Sequence, residues 1–308
     1  MSIENDTFCP LPWLHLGTHP HGGVTPCCIS DMTAGKNRAR NYGKEREEFF
    51  NLNDHDIETH MNSDYFKEIR KEMLNDLEPK ACKRCYDEER KGIESKRVYE
   101  SKIYKDFNPD YASRLTDKDG GIPMDLRFVE LRLGNVCNVR CRTCNPASSS
   151  RWVADYKKIV DSLEFVNDGY SWLDHKHDFQ WPEDENFYED LFKCAPNLEV
   201  LYINGGEPTL IKAHWKFLEM LVESGRSKNI ILWYNINMTQ VPDKAIPLWK
   251  EFKEARVCPS IDDFDHRNKY IRYPTEWSAV EENLNKVMQV PELKVRITQT
   301  VSAYSYIY

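Results

Sequence analysis

No stretch of this 308-residue chain stays apolar over the length a bilayer demands, so a membrane-spanning helix is not expected. The opening Met-Ser-Ile-Glu-Asn-Asp lacks the basic and apolar regions of a secretory leader. An excess of positive charge is missing too. Lys and Arg number 42 against 50 Asp and Glu, for a formal net charge of −8 and an isoelectric point near 5.7. That balance argues against a general binder of nucleic acid or anionic membranes. No Gly-Lys-Ser/Thr follows the glycine pair at 205–206, which argues against a phosphate loop. Cysteine, by contrast, is plentiful. Ten of them without a leader point to metal sites in a reducing compartment, the cytoplasm, rather than to disulfides.

Three cysteines stand together as Cys137-Asn-Val-Arg-Cys141-Arg-Thr-Cys144. Three thiolates on one short loop each take one iron of a cubane cluster and leave the fourth iron open. Electron-carrying clusters and structural zinc are normally closed by four ligands, so a missing fourth points to chemistry at the metal. A zinc site that borrows a distant ligand, or three buried thiols, is the alternative. Before this loop, Phe128 to Gly134 alternates like a half-buried strand and ends on glycine. After it, Asn145-Pro146 stops the loop, and Ser148 to Ser150 offer a cap for a helix through Trp152, Val153, Tyr156 and Ile159. Leu198 to Asn204 reads as a second strand running into Gly205-Gly206-Glu207-Pro208.

In these residues, their order and their spacing, the chain resembles the radical S-adenosylmethionine superfamily. There the cluster loop follows the first barrel strand and a Gly-Gly-Glu-Pro motif follows the second. The resemblance implies that Cys137, Cys141 and Cys144 hold a [4Fe-4S] cluster whose open iron binds S-adenosylmethionine through its amino and carboxylate groups. The turn formed by Gly205, Gly206 and Glu207 is then expected to offer backbone carbonyls, and the Glu207 carboxylate, to that ammonium group. Glycine permits the close approach, and Pro208 sets the exit of the turn. Ser260 and Asp262, in a fourth barrel-like strand over 257–263, match the family's ribose position; turn-forming at a strand end is the other reading. Asn235 and Asn237, ending the third strand, are expected to face the site. Lys269 to Trp277 resembles the twitch-domain branch. One departure is Thr143, where many relatives carry an aromatic residue near the adenine.

A second cysteine set, Cys9, Cys27, Cys82 and Cys85, resembles the twitch and SPASM modules that hold auxiliary four-iron clusters. Gly22 and Pro12-Trp13 fit that pattern. In most relatives the module follows the barrel; here it precedes it. Cys28 beside Cys27 is the competing ligand, and structural zinc the competing metal. Between the pairs, Phe66, Ile69, Met73 and Leu77 fall on one face of a helix that Ser63 would cap. The basic stretch 35–44 reads as a solvated loop, and His15, His19 and His21 are not assigned as ligands. Cys28, Cys194 and Cys258 remain as buried small hydrophobes.

The expected fold is α/β: a partial (β/α) radical-enzyme barrel with about five of six strands, preceded by a small α+β cysteine-rich twitch/SPASM-like module. Residues 1–94 form the module, 95–125 a linker, and 126–308 the core. Strands are expected near 127–133, 198–204, 229–236, 256–262 and 293–301, and helices near 147–163, 211–224, 243–254 and 276–289. An irregular stretch over 161–190, with Trp172, Trp181, Phe187 and Tyr188, reads as a surface insertion. The missing sixth strand implies truncation, or an edge covered by a partner or by the N-terminal module. By resemblance, the activity is reductive cleavage of S-adenosylmethionine to a 5′-deoxyadenosyl radical that abstracts hydrogen from a peptide or small molecule. The electron would come from a carrier such as flavodoxin or ferredoxin. A non-catalytic iron–sulfur electron-transfer or scaffold protein, or a zinc-binding interaction module, is the rival.

Overall fold

The computed structural model describes residues 6–30, 40–41, 48–49, 51–161 and 179–306. The chain divides into two compact units. The first comprises Met1–Thr18, Gly23–Glu130 and Asp190–Leu198, and the second His19–Gly22, Leu131–Glu189 and Glu199–Tyr308.

In the first unit α1 (Leu11–Leu14) leads into β1 (His15–Thr18), and β2 (Val24–Thr25) returns antiparallel to it. A two-residue ladder, β3 (Arg40–Asn41) and β4 (Glu48–Phe49), precedes α2 (Ile57–Met61) and α3 (Asp64–Leu74). The expected face of α3 is buried at Phe66, Ile69 and Met73, each worth about 1.5–3 kcal/mol of burial. Leu77 lies past its end and is 56% exposed. Ser63 holds the N-cap position, yet its hydroxyl donates to the His60 carbonyl instead.

After α4 (Lys83–Glu89) the structure corrects the expected linker. Residues 95–125 carry α5 (Lys96–Ile103) and α6 (Pro109–Leu115). Both are capped: the Ser95 side chain accepts from Val98 N, and Asn108 accepts from Tyr111 N with Pro109 beginning the helix. The following turn is tied down by a reciprocal pair. Asn62 Nδ2 donates to the Ile122 carbonyl at 3.0 Å, and Ile122 N donates to Asn62 Oδ1 at 2.9 Å. Next comes β5 (Phe128–Leu133), whose first three residues pair in parallel with His15, Leu16 and Gly17. The chain's own N-terminal strand thus covers this edge of β5, which would otherwise present unpaired backbone groups.

The second unit alternates strand and helix. It contains β6 (Arg140–Cys141), α7 (Val153–Asp161) and α8 (Glu185–Cys194), whose last residues are counted with the first unit. Then follow β7 (Val200–Gly205), α9 (Ala213–Glu223), β8 (Ile231–Ile236), α10 (Ala245–Trp249) and β9 (Glu254–Pro259). The described chain continues with α11 (Asp265–Ile271), β10 (Arg272–Tyr273), α12 (Trp277–Met288) and β11 (Leu293–Val295). The ladder β7–β8–β9–β11 is parallel throughout, the α/β architecture expected of alternating apolar strands and helices.

Two expectations need correction. Of the stretch 161–190, residues 162–178 lie outside the described residues; the described part, 179–190, includes part of α8 and buries Trp181, Phe187 and Tyr188 instead of lying on the surface. The Trp181 indole donates to the Pro20 carbonyl at 2.9 Å. The fifth strand ends at Val295, after which only an isolated bridge joins Ser260 to Thr298. Trp172 and most of the basic stretch 35–44 lie outside the described residues. Among the described residues, no helix is long and apolar enough to cross a membrane.

Candidate functional site

The loop between β5 and α7 folds back on itself through its own polar side chains. Asn135 Nδ2 donates to the Pro146 carbonyl at 3.0 Å, and Ser149 Oγ to the Val139 carbonyl at 2.6 Å. Trp152 Nε1 donates to the Cys141 carbonyl at 2.9 Å. Within that loop Cys137 and Cys141 are buried around Val139, and Cys144 packs against them. Burial pushes the Cys137 thiol up to about 12 and Cys141 up to about 11, with Cys144 also raised. Opposing this, the Val139 N–H bonds Cys137, and the Arg272 guanidinium lies beside Cys141 and Cys144.

The Gly-Gly-Glu-Pro turn is pressed against the start of this loop. Gly206 N donates to the Gly134 carbonyl at 3.1 Å and Glu207 N to the Val136 carbonyl at 2.8 Å. A Cβ on Gly206 would stand 2.2 Å from the Val136 oxygen, and one on Gly205, whose φ is +126°, 2.4 Å from Leu133 N. Both glycines are therefore consumed by backbone packing beneath the cysteines. Gly206→Ala should cost about 1–3 kcal/mol of folding stability, as overpacking does. An unchanged urea midpoint for that variant would show that the turn is loosely held.

Glu207, next after the two glycines, is buried. Its carboxylate is 1% exposed; Oε1 accepts from Thr209 Oγ1 at 2.6 Å and Oε2 from Asn237 N at 2.8 Å. Burial raises its pKa, and these hydrogen bonds oppose the rise. Asn237 Nδ2 in turn donates to Asn138 Oδ1 at 2.8 Å, and Asn138 Nδ2 to Thr239 Oγ1 at 2.8 Å. The ends of β7 and β8 are thus stitched to the cysteine loop. Glu207 thereby ties the turn to Thr209 and to Asn237. Asn235, expected to face the site, donates to the Tyr202 hydroxyl at 2.7 Å.

Asp262 is likewise engaged. Completely buried, it pairs with Arg272 at 2.8 Å and accepts from Thr300 N at 2.8 Å. Arg272 Nη1 reaches Cys141 Sγ at 3.6 Å, so one guanidinium links the strand-end carboxylate to a cysteine sulfur. Sequence reasoning gave Arg272 no role, although it lies in the twitch-like stretch. Ser260 is half-buried at the end of β9, its backbone N bonded to the Ile236 carbonyl. Thr143 is exposed. Around it Arg142 stacks on Tyr270 at 3.8 Å, and β6 pairs with β10, so α11 and β10 brace the loop.

In the first unit, Cys9, Cys27, Cys82 and Cys85 line one cavity. Cys27, and not its neighbour Cys28, is the member of the pair that opens into it. Burial dominates the behaviour of these thiols: it pushes Cys27 up to about 12 and raises the other three, with the neighbouring thiols adding to the rise in Cys9, Cys27 and Cys82. Backbone N–H groups of Leu11, Ile29 and Arg97 bond Cys9, Cys27 and Cys85. Donors aimed at sulfur favour a thiolate and are among the features that set cluster potentials. Both donor sets therefore fit iron–sulfur clusters. Among the described residues no group of three His, Cys, Asp or Glu is arranged to hold a single metal ion. A cubane asks for a different arrangement, with each sulfur on a separate iron.

Residues 9–86 match the SPASM family, an iron–sulfur cluster-binding domain. The match spans all four cysteines of the cavity, and at this module the resemblance drawn from the sequence is borne out. Two solved structures are similar over longer stretches. One, native anSMEcpe with bound AdoMet and Kp18Cys peptide, is 19% identical with a TM-score of 0.35, over 56% of this chain and 42% of that one. The other, SuiB of Streptococcus suis, is 13% identical with a TM-score of 0.38, over 78% of this chain and 49% of that one. The chain spans less than half the length of either. No curated protein matches the sequence significantly.

The leftover cysteines have other partners. Cys258 Sγ accepts from Trp233 Nε1 at 2.9 Å, and Cys194 Sγ lies 3.6 Å from Asp190.

Proposed function

We propose that this protein is a radical S-adenosylmethionine enzyme with an N-terminal auxiliary iron–sulfur module, acting on a peptide or small molecule in a reducing, cytoplasmic setting. The observation that carries the reading is the gathering of Cys137, Cys141 and Cys144 around Val139 in one loop, whose first residues, Asn135 and Val136, press against the Gly205-Gly206 turn. Cys137, Cys141 and Cys144 would hold a four-iron cluster, which would supply the one-electron reduction that cleaves S-adenosylmethionine and opens radical chemistry on the substrate.

The chain's own residues do the positioning. Asn135, Ser149 and Trp152 hold the cysteine loop in shape, and Glu207, Asn237 and Asn138 fix it to the strand ends. Arg272 places positive charge beside Cys141, offsetting the cost of keeping sulfur anionic in a buried loop. Burial of Cys137 and Cys141 would keep water from a cluster held there. Ser260, half-buried just after β9, and Asp262, two residues on, would contact a ribose.

Anaerobically reconstituted protein given S-adenosylmethionine and dithionite is expected to release 5′-deoxyadenosine. Folded, iron-loaded protein that releases none would instead be the non-catalytic iron–sulfur scaffold.

A further inference from the structure

The first turn of α5 brings two cations to the cysteine cavity, and nothing in the reaction described above uses them. Lys96 and Arg97 line the same cavity as Cys9, Cys27, Cys82 and Cys85. The Lys96 ammonium lies within electrostatic reach of Cys27 and Cys28, and the Arg97 guanidinium within reach of Cys9. Arg97 also gives its backbone N–H to Cys85, and its Nη1 donates to the Phe8 carbonyl at 2.9 Å, next to Cys9. Both side chains are held in place. Lys96 pairs with Glu100 at 2.6 Å, and Arg97 donates through Nε to Glu89 at 3.0 Å while its guanidinium sits over the Tyr86 ring. Glu100 is 4% exposed, so the Lys96 pair is largely withdrawn from solvent screening.

We propose that the N-terminal turn of α5 is a cationic cap on the auxiliary cluster, with Lys96 and Arg97 holding its reduction potential up. This rests on the reading that the four cysteines carry a four-iron cluster. Such a cluster bound by four thiolates is anionic, and gaining an electron adds one more negative charge. Fixed positive charge in a buried site therefore favours the reduced form over the oxidised one. Glu89 and Glu100 position the cations and partly offset their field. Removing a carboxylate must then act with the opposite sign to removing a cation, and that opposition separates charge from packing.

The test is a redox titration followed by electron paramagnetic resonance on the full-length chain carrying Cys141→Ala, so that the auxiliary signal stands alone. Lys96→Gln combined with Arg97→Gln should lower the ratio of reduced to oxidised cluster at a fixed potential by at least about tenfold, which is 59 mV for one electron. Glu100→Gln should raise that ratio. Lys96→Arg combined with Arg97→Lys should leave it near the parent value. An unchanged ratio in the glutamine variant at full iron content overturns the cap alone. If the glutamine variant loses its iron and the charge-preserving variant keeps it, Lys96→Gln and Arg97→Gln are titrated singly, a lowered ratio supporting the cap and an unchanged one overturning it. Iron loss in both variants would mean a packing role and overturn it. If iron is undiminished by replacing Cys82 and Cys85, the cluster reading itself fails, and the cap falls with it.

Discussion

Cys141→Ala is expected to abolish 5′-deoxyadenosine formation while leaving the auxiliary cluster in place. Loss of groups that merely hydrogen-bond a metal ligand costs about 10–100-fold in affinity or activity, so loss of the ligand itself should exceed about a hundredfold. The site magnifies the effect. Cys141 lies in β6, pairs across to Arg272 of β10, takes the Arg272 donor on its sulfur, and gives its carbonyl to Trp152. Alanine keeps the backbone pairing and the carbonyl bond, so the loop should fold while the Arg272 charge faces a cavity instead of a sulfur. Far-ultraviolet circular dichroism close to the parent, with no deoxyadenosine, is the expected pair of results. Substantial deoxyadenosine from this variant would remove Cys141 from the ligand set.

Cys82→Ala together with Cys85→Ala should cut total iron by about half if both clusters are four-iron. Cys82 is the N-cap of α4 and Cys85 lies in its first turn, and both open into the cavity shared with Cys9 and Cys27. Single variants resolve the adjacent pair: Cys27→Ala should lower iron, and Cys28→Ala should leave it at the parent level. Zinc recovered in place of iron and sulfide from anaerobically prepared protein would contradict the auxiliary cluster directly.

Much of this architecture could be read from residue order. The five strand patterns of the core all appear, at β5, β7, β8, β9 and β11, because runs such as Leu201 and Ile203 or Leu232, Tyr234 and Ile236 are buried as their spacing implies. The cysteine spacings are legible too: Cys137, Cys141 and Cys144 gather around Val139, and Cys9, Cys27, Cys82 and Cys85 line one cavity. What failed was the treatment of charged segments. Residues 95–125 look like a linker by composition, yet Ser95 and Asn108-Pro109 are helix starts that the charge obscured. With that segment went Lys96 and Arg97. Residues 179–190 pose the same difficulty, since the buried Trp181 and Tyr188 are separated by exposed acidic residues, Glu183 to Glu185.

The polar residues of the site divide along another line. Sequence position shows that Glu207, Asn237 and Asp262 stand at strand ends, but not which groups have already taken their lone pairs. Glu207 bonds Thr209 and Asn237, and Asp262 bonds Arg272 and Thr300. Those partners lie between 2 and 38 residues away, and only folding brings them together. Arg272 escaped notice because an arginine between Ile271 and Tyr273 carries no signature of its own until β6 and β10 pair.

The most direct measurement is the resonance spectrum of the dithionite-reduced protein with and without S-adenosylmethionine. An iron lacking a protein ligand must bind the cosubstrate's amino and carboxylate groups, so the signal lost in Cys141→Ala should shift on addition. The signal lost with Cys82 and Cys85 should stay as it was. A fully reduced, folded sample whose spectrum is identical in both conditions would contradict the account.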